Sequence, residues 1–195
     1  MTAVRIPSEL ERYLGRLVEV LSQQAPMDAV YLLGSAALGA YEHGRSDVDV
    51  VAVTRRSLSV DERRALAAAV AAIPVPARKL ELVVYPRGST RWELNLNTSD
   101  GDTASHVGLD PDAEPTFWFV LDRAIAAQHA VPLLGPRWAE LFDPEPRAAI
   151  EAALDEAVAF DGWSEANATL AGTRGRIWRD TGRWVSKREA KEWRP

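Results

Sequence analysis

The stretch from Tyr31 to Thr54, YLLGSAALGAYEHGRSDVDVVAVT, constrains the fold more than any other part of the chain. Two apolar runs, Ala29–Leu33 and Val48–Thr54, are separated by a Gly-Ser pair and a helix-sized segment that ends in a His-Gly-Arg turn. Apolar runs of this length, rich in β-branched residues and bounded by turn residues, are typical of buried strands. The stretch therefore predicts a strand, a tight turn into a short helix, and a second strand.

Two acidic residues, Asp47 and Asp49, open the second of these strands. Side chains two apart in a strand point to the same side, so both carboxylates face one way. Two carboxylates held together repel each other, which favours a cation between them. Hard oxygen ligands of this kind suit Mg²⁺ that bridges to a phosphate-bearing substrate. An isolated Asp-x-Asp also occurs at solvated strand edges and in Asx turns.

Gly34 and Ser35 end the first strand at a bend where a backbone can approach a ligand closely. The free N–H groups of the helix start that follows favour an anion. A Gly-Ser pair before a helix is also a common turn with an N-cap. Together with the nearby acidic pair, it favours a phosphate site beside a metal site.

Composition limits the classes of function. The chain has 195 residues, enough for one large domain or two small ones, and its 47% hydrophobic and 26% charged residues are ordinary for a soluble globular protein. Cysteine is absent, which excludes disulfides, thiolate catalysis and Cys-ligated zinc. The net charge of −5 argues against a general nucleic-acid binder and suits a small, partly cationic ligand.

The hydropathy pattern predicts a cytoplasmic protein. No run approaches the ~18 consecutive apolar residues that a membrane span requires. The first residues, MTAVRIPSELERYL, lack the apolar segment of a secretory signal.

The periodicity of apolar residues and the positions of proline, glycine and capping residues predict an α/β half up to about residue 110 and a helical half after it. Ser8 and Glu11 suggest a capping box for the first helix, and Pro26 ends it. The predicted elements are a helix from Ser8 to Gln24, a strand Ala29–Leu33, a helix Ala36–Tyr41, a strand Val48–Thr54, a helix Val60–Ile73, strands Arg78–Tyr85 and Glu93–Asn97, a helix Thr116–His129, a turn Leu133–Pro136, and helices Trp138–Phe142, Pro146–Phe160, Ser164–Thr181 and Ser186–Trp193.

The predicted strand RKLELVVY contains the apolar row Leu80–Val84, in which Glu81 is the single charge. A buried carboxylate without a partner costs several kcal/mol or stays protonated. Glu81 therefore lies either on an exposed edge or in a site that uses its charge.

The pair Gly34-Ser35 followed by Ser46-Asp47-Val48-Asp49 resembles the nucleotidyltransferase superfamily that shares the catalytic core of DNA polymerase β. This resemblance implies an α+β fold, with a mixed-sheet nucleotidyltransferase domain at residues 1–110 and an all-α helical domain at 111–195. In that superfamily a neighbouring strand adds a third acidic side chain to the metal cluster, and Glu81 occupies that place. Glu81 would then be either a third metal ligand, with Asp47 and Asp49, or the general base for the substrate hydroxyl.

The C-terminal half is similar to streptomycin/spectinomycin adenylyltransferases. The matching segments are His129–Pro136, Ala139–Phe142, Asn167–Leu170 with Arg174, and Thr181–Trp193. In aminoglycoside adenylyltransferases a Glu on the Glu81 strand is the base, and an Arg and a Lys of the helical domain reach the ATP phosphates. The resemblance assigns these roles to Glu81, Arg174 and Lys187, and Asn167 would help to orient the nucleotide. Without it, Arg174 and Lys187 read as solvated helix charges.

The implied reaction moves AMP from ATP, with Mg²⁺, to a hydroxyl of an aminoglycoside or aminocyclitol antibiotic. Gly34 and Ser35 would hold phosphates, and Ser46 would lie beside the metal strand. We expect a monomer without nucleic-acid or membrane partners. Adenylylation of a protein or tRNA, and a non-catalytic nucleotide-binding role, are the alternatives.

The chain departs from this family in ways that bear on the acceptor. The loop Phe160–Ser164 is shorter, with Ser164 where an Asp is expected, and the family's aromatic residue near position 99 is a serine. Trp92, Trp118, Trp163 and Asp161 could line a different pocket, although Trp is usually a core residue. The altered loop slightly favours spectinomycin over streptomycin. Family chains also continue beyond the equivalent of Trp193. The expectation is therefore either that part of the helical domain is absent or that this chain is a short variant.

Overall fold

The computed structural model describes residues 6–194. Residues 1–5 and Pro195 lie outside the described residues. The first belong to the start of the chain, which was predicted to lack a secretory signal, and Pro195 belongs to the predicted helical domain. The helices are α1 Ser8–Gln24, α2 Gly34–Ala37, α3 Val60–Ala71, α4 Thr116–His129, α5 Arg147–Ala159, α6 Glu165–Thr181 and α7 Lys187–Glu192. The strands are β1 Met27–Leu32, β2 Val48–Thr54, β3 Leu80–Pro86, β4 Leu94–Asn97, β5 His106–Gly108 and β6 Val131–Leu134.

The six strands form one mixed sheet in the order β5-β4-β3-β2-β1-β6. Strands β2 and β3 are parallel, joined by a crossover through α3, and the other neighbouring pairs are antiparallel. The register of the parallel pair sets Val48 opposite Leu80 and Asp49 opposite Glu81. The α+β class and the mixed sheet of the sequence prediction are confirmed.

The two faces of the sheet pack against different helices. On one face, side chains such as Leu82 and Leu96 form a core with α1 and α3. On the other, Tyr31, Val51 and Tyr85 pack against Phe119 of α4 and the segment around Trp138. Towards the starts of β2 and β3, this second face changes from apolar residues to acidic ones. The uncovered end of the second face therefore carries the polar groups.

The C-terminal helices pack one after another, α4 on α5, α5 on α6 and α6 on α7. Gly175 lets α6 approach α5 closely, because a Cβ there would lie 2.9 Å from Leu154 Cδ2. Gly182 ends α6 in the left-handed conformation, with φ 71°. The turn brings the chain back, so that Arg174 Nε donates to the carbonyl of Val185 at 2.9 Å.

The structure corrects several predicted elements. Leu133 and Leu134 form part of β6, which pairs with β1 at the sheet edge, instead of a turn. β5 lies in a stretch rich in turn residues and was not predicted. The predicted Ser8 capping box is wrong, because Ser8 is already helical, Pro7 is the N-cap, and the Ser8 hydroxyl bonds Glu9. The predicted helix Ala36–Tyr41 is instead the single turn of α2.

Within residues 6–194, no helix combines the length and the apolar character that crossing a bilayer would require.

Candidate functional site

The two predicted acidic strands bring their carboxylates to one side of the sheet. Asp47 and Asp49 project from the same face of β2, and Glu81 is the register partner of Asp49 on β3. All three side chains are half-buried. They lie where the α4-covered face of the sheet ends, so a ligand can reach them.

Gly34 lies directly against Asp49. Its φ is +59°, and a Cβ at this position would stand 1.7 Å from the Oδ2 of Asp49. The N–H of Leu33 donates to the carbonyl of Asp49 at 2.8 Å and fixes the same contact through the backbone. The bend at Gly34 and Ser35 thus adjoins the acidic strand, as the sequence pattern predicts.

Ser46 stabilises the turn before the acidic strand. Its hydroxyl accepts from the N–H of Glu42 at 3.0 Å, and its carbonyl accepts from the N–H of Arg78 at 3.2 Å. Ser46 therefore positions both Asp47 and the segment that leads into β3.

Two basic residues just before β3 neutralise two of the three carboxylates. Arg78 binds Asp47 through a pair of hydrogen bonds, of 2.8 and 2.7 Å, and also binds Asp100 at 3.1 Å. Lys79 Nζ lies 2.6 Å from Glu81 Oε1. With the side chains in these positions, no group of three His, Asp or Glu residues between 6 and 194 is arranged to hold a metal ion.

Asp49 forms neither of these ion pairs, and its pKa is shifted. Burial, followed by the negative charges of Glu81, Asp122 and Asp47, raises the pKa of the Asp49 carboxyl to about 8, and Lys187 opposes the shift. The neighbouring carboxylates contribute to this shift after burial, so a positive charge at the site would lower the pKa of Asp49 again. The all-oxygen donor set of Asp47 and Asp49 would fit a divalent cation if Arg78 released Asp47.

A fourth carboxylate, Asp122 of α4, was not predicted. Enclosure by protein, and then the charge of Glu81, raise its pKa to about 7, while Arg174, Arg123 and Lys187 act in the opposite direction. Asp122 is nevertheless exposed to solvent. The available sequence signal was that Asp122 is the only acidic residue in α4, one turn after Trp118.

Arg174 and Lys187 of the helical part lie within electrostatic reach of these carboxylates. Burial lowers the pKa of the half-buried Arg174, and the charges of Asp122 and Asp49 oppose that shift. Lys187, at the start of α7, lowers the pKa of Asp49. Both cations therefore interact electrostatically with carboxylates of the acidic centre.

The remaining predicted residues lie in α6, in the core, and in or beside an aromatic cluster. Asn167 is exposed in the first turn of α6, where its backbone N–H donates to Ser164 Oγ at 3.3 Å. Trp92 is a core residue, 3% exposed. Trp118 and Trp163 are half-buried, with ring centroids 5.0 Å apart, and form an aromatic cluster with Phe117 and Phe160. Asp161 is exposed beside that cluster.

Comparison with known proteins agrees with this geometry. Residues 14–91 match the family model of the nucleotidyltransferase domain. No curated protein matches the chain in sequence. The structure is similar to that of spectinomycin adenyltransferase AAD(9) from Enterococcus faecialis, solved with ATP and spectinomycin. The TM-score is 0.69 at 14% identity, over 92% of this chain and 80% of that one, and the likeness establishes the shared fold.

Proposed function

We propose that this nucleotidyltransferase-fold protein transfers the adenylyl group of ATP to a hydroxyl of a small cationic acceptor of the aminoglycoside or aminocyclitol type. The observation that carries the proposal is the proximity of three features. These are the carboxylates of β2 and β3, the Gly34 bend that adjoins Asp49, and the cations Arg174 and Lys187, whose charges interact with Asp49 and Asp122.

The cations and the bend are suited to the nucleotide. A triphosphate carries more negative charge than one divalent ion neutralises, and Arg can grip phosphate oxygens with two parallel hydrogen bonds. Arg174 and Lys187 would bind these oxygens, and the backbone at Gly34 and Ser35 would approach them closely. Asn167, in the first turn of α6, would help to orient the nucleotide.

Asp47 and Asp49 would hold Mg²⁺, which when bound neutralises charge on the triphosphate. Glu81 would accept the proton of the acceptor hydroxyl. That oxygen then forms a bond to the α-phosphorus while the bond from the α-phosphorus to the bridging oxygen breaks. The electron pair leaves with pyrophosphate, whose charge Arg174 and Lys187 stabilise.

The charge balance supports a cationic acceptor. Glu81 and Asp122 border the same opening, and a set of carboxylates attracts ammonium groups. The structural neighbour was solved with spectinomycin, a compound of this class. We also propose that the enzyme is a monomer and acts in the cytoplasm, where ATP is available.

Label transfer from ATP tests the proposal. With Mg²⁺ and spectinomycin or streptomycin, label from the α-phosphate should appear in the antibiotic, and label from the γ-phosphate only in pyrophosphate. Transfer of γ-label to the antibiotic would contradict adenylyl transfer. If ATP binds but α-label reaches only proteins or RNA in a cell lysate, the enzyme class stands and the antibiotic acceptor is wrong.

A further inference from the structure

A row of polar residues extends from the acidic centre to the edge of the sheet. Asp49 pairs with Glu81, Glu81 with Asn97 on β4, and Asn97 with His106 on β5. Side chains of paired residues point to the same side of a sheet. Since neighbouring strands lie about 4.8 Å apart, the row continues roughly 10 Å beyond Glu81.

The polar character of β4 is confined to this face. Leu94 and Leu96, which point to the opposite face, are fully buried in the core with α1 and α3. Asn95 and Asn97 occupy the alternate positions. On the neighbouring strand β3, Val83 lies opposite Asn95 and Glu81 lies opposite Asn97. Because a buried amide is unfavourable without hydrogen bonds, Asn95, 8% exposed, requires a partner here.

Glu114, just before α4, is that partner and fixes the outer part of the row. Its Oε2 accepts from Asn95 Nδ2 at 2.6 Å, and its Oε1 lies 3.0 Å from His106 Nε2. Gly108 leaves room for this carboxylate, since a Cβ there would stand 2.0 Å from Oε1. The Glu114 side chain is only 17% exposed, so its charge is held in place rather than solvated at the surface.

The row offers mainly hydrogen-bond acceptors. Asn97 Nδ2 donates to Asn95 Oδ1 at 3.4 Å, whereas the side-chain oxygen of Asn97 accepts no hydrogen bond from the residues that the structure describes. Beside it stand the carboxylates of Glu81 and Glu114. A ligand that lies along this row needs hydroxyl and ammonium donors.

We propose that Asn97, His106 and Glu114 form a subsite for the part of the acceptor remote from the reacting hydroxyl. This inference rests on the proposed adenylyl transfer. It assigns to the acceptor a polyhydroxylated ring that carries an ammonium group, placed over β4 and β5 when another hydroxyl reaches Glu81. The span of about 10 Å beyond Glu81 accommodates a second ring.

Steady-state kinetics with MgATP and spectinomycin test the subsite. The variants are Asn97→Ala, His106→Ala and Glu114→Gln, and the matched control is Asp112→Asn, an exposed carboxylate of the same segment that pairs with Arg91. Each subsite variant should raise the KM for spectinomycin about tenfold or more, with an unchanged KM for ATP. The control should change neither constant.

A second comparison separates recognition from structural support. Glu114→Gln should reduce the preference of the enzyme for spectinomycin over its N-acetylated, uncharged form, which general loosening of the sheet would not do. Exposed His106 can be replaced without disturbing the fold, so it keeps the test decisive if Glu114→Gln unfolds. Wild-type KM values in all three variants would overturn the subsite while leaving adenylyl transfer intact. If the wild-type enzyme modifies neither spectinomycin nor streptomycin, the acceptor class is wrong and the subsite falls with it.

Discussion

The carboxylate of Asp49 occupies the space in which a side chain at Gly34 would begin, with Oδ2 1.7 Å from the position of a Cβ. This contact joins the turn after β1 to the acidic strand β2. It makes glycine at position 34 a requirement of the acidic centre as well as of the backbone.

Replacing Gly34 by Ala should therefore displace Asp49. Gly39→Ala is the matched control, because Gly39 also has a positive φ, of +67°, but open space around its Cβ position. Both variants should lose about 1 kcal/mol of unfolding free energy from backbone strain. Only Gly34→Ala should also lose adenylyl transfer. Equal activity of the two variants would show that the contact with Asp49 is unimportant.

If Asp47 holds Mg²⁺ as proposed, Arg78 competes with the ion for this carboxylate, because it makes two hydrogen bonds to it. Within the described part of the chain, no group of three acidic or histidine side chains is arranged to hold a metal ion. Arg78→Met should increase the affinity for Mn²⁺ in the absence of nucleotide severalfold, as measured by electron paramagnetic resonance, whereas Arg45→Met at an exposed pair should not. Weaker Mn²⁺ binding by Arg78→Met would mean that Arg78 positions Asp47 instead of competing for it.

The raised pKa of Asp49 makes the stability of the ligand-free protein depend on pH. Because the folded pKa, about 8, lies above the ordinary value of 3.8, the charged form is disfavoured by folding. The unfolding free energy should therefore fall as pH rises between these values. Asp49→Asn removes this loss and should be more stable than wild type by on the order of 1 to 3 kcal/mol at the upper end, in metal-free buffer. The difference in unfolding free energy between Asp49→Asn and wild type, measured by urea denaturation, should vanish near pH 3.8, the lower of the two pKa values. A difference that grows towards acid would contradict the assignment.

The ion pair between Arg123 and Glu145 ties α4 to the segment before α5. The two side chains are 8% and 10% exposed and lie 2.6 Å apart, and Arg123 also donates to the carbonyl of Thr90 at 3.0 Å. Arg123→Ala leaves a buried carboxylate without a partner and should cost about 3 kcal/mol of unfolding free energy. Arg16→Ala, at an exposed pair with Glu19, should cost less than about 1 kcal/mol. Similar losses of unfolding free energy in Arg123→Ala and Arg16→Ala, measured by chemical denaturation, would contradict this prediction.

The parts of the site that local patterns encode were predictable. Asp47 and Asp49 share a face because successive side chains of a strand alternate between the two faces of the sheet. The apolar run around Glu81 predicted the second strand. Their approach required only that the two strands be neighbours, which the register of Asp49 with Glu81 confirms. The division at residue 110 and the roles of Ser35, Asn167 and the other site residues stay predictions.

Other parts depend on contacts that no local pattern records. Asp122 belongs to the site because α4 packs across the sheet, far in sequence from Glu81. β6 is a short edge strand whose Pro and Gly neighbours resemble a turn, and only pairing with β1 makes it a strand. The pairing of Arg78 with Asp47 depends on side-chain orientation, which the order of residues does not specify.

The most direct test of the central claim is adenylyl transfer by Glu81→Gln, measured with α-labelled ATP beside its ATP affinity. The exposed Glu42→Gln serves as control. If Glu81 takes the proton of the acceptor hydroxyl, transfer should fall at least about a hundredfold while ATP binds as in wild type. Transfer at the wild-type rate by Glu81→Gln would contradict the account.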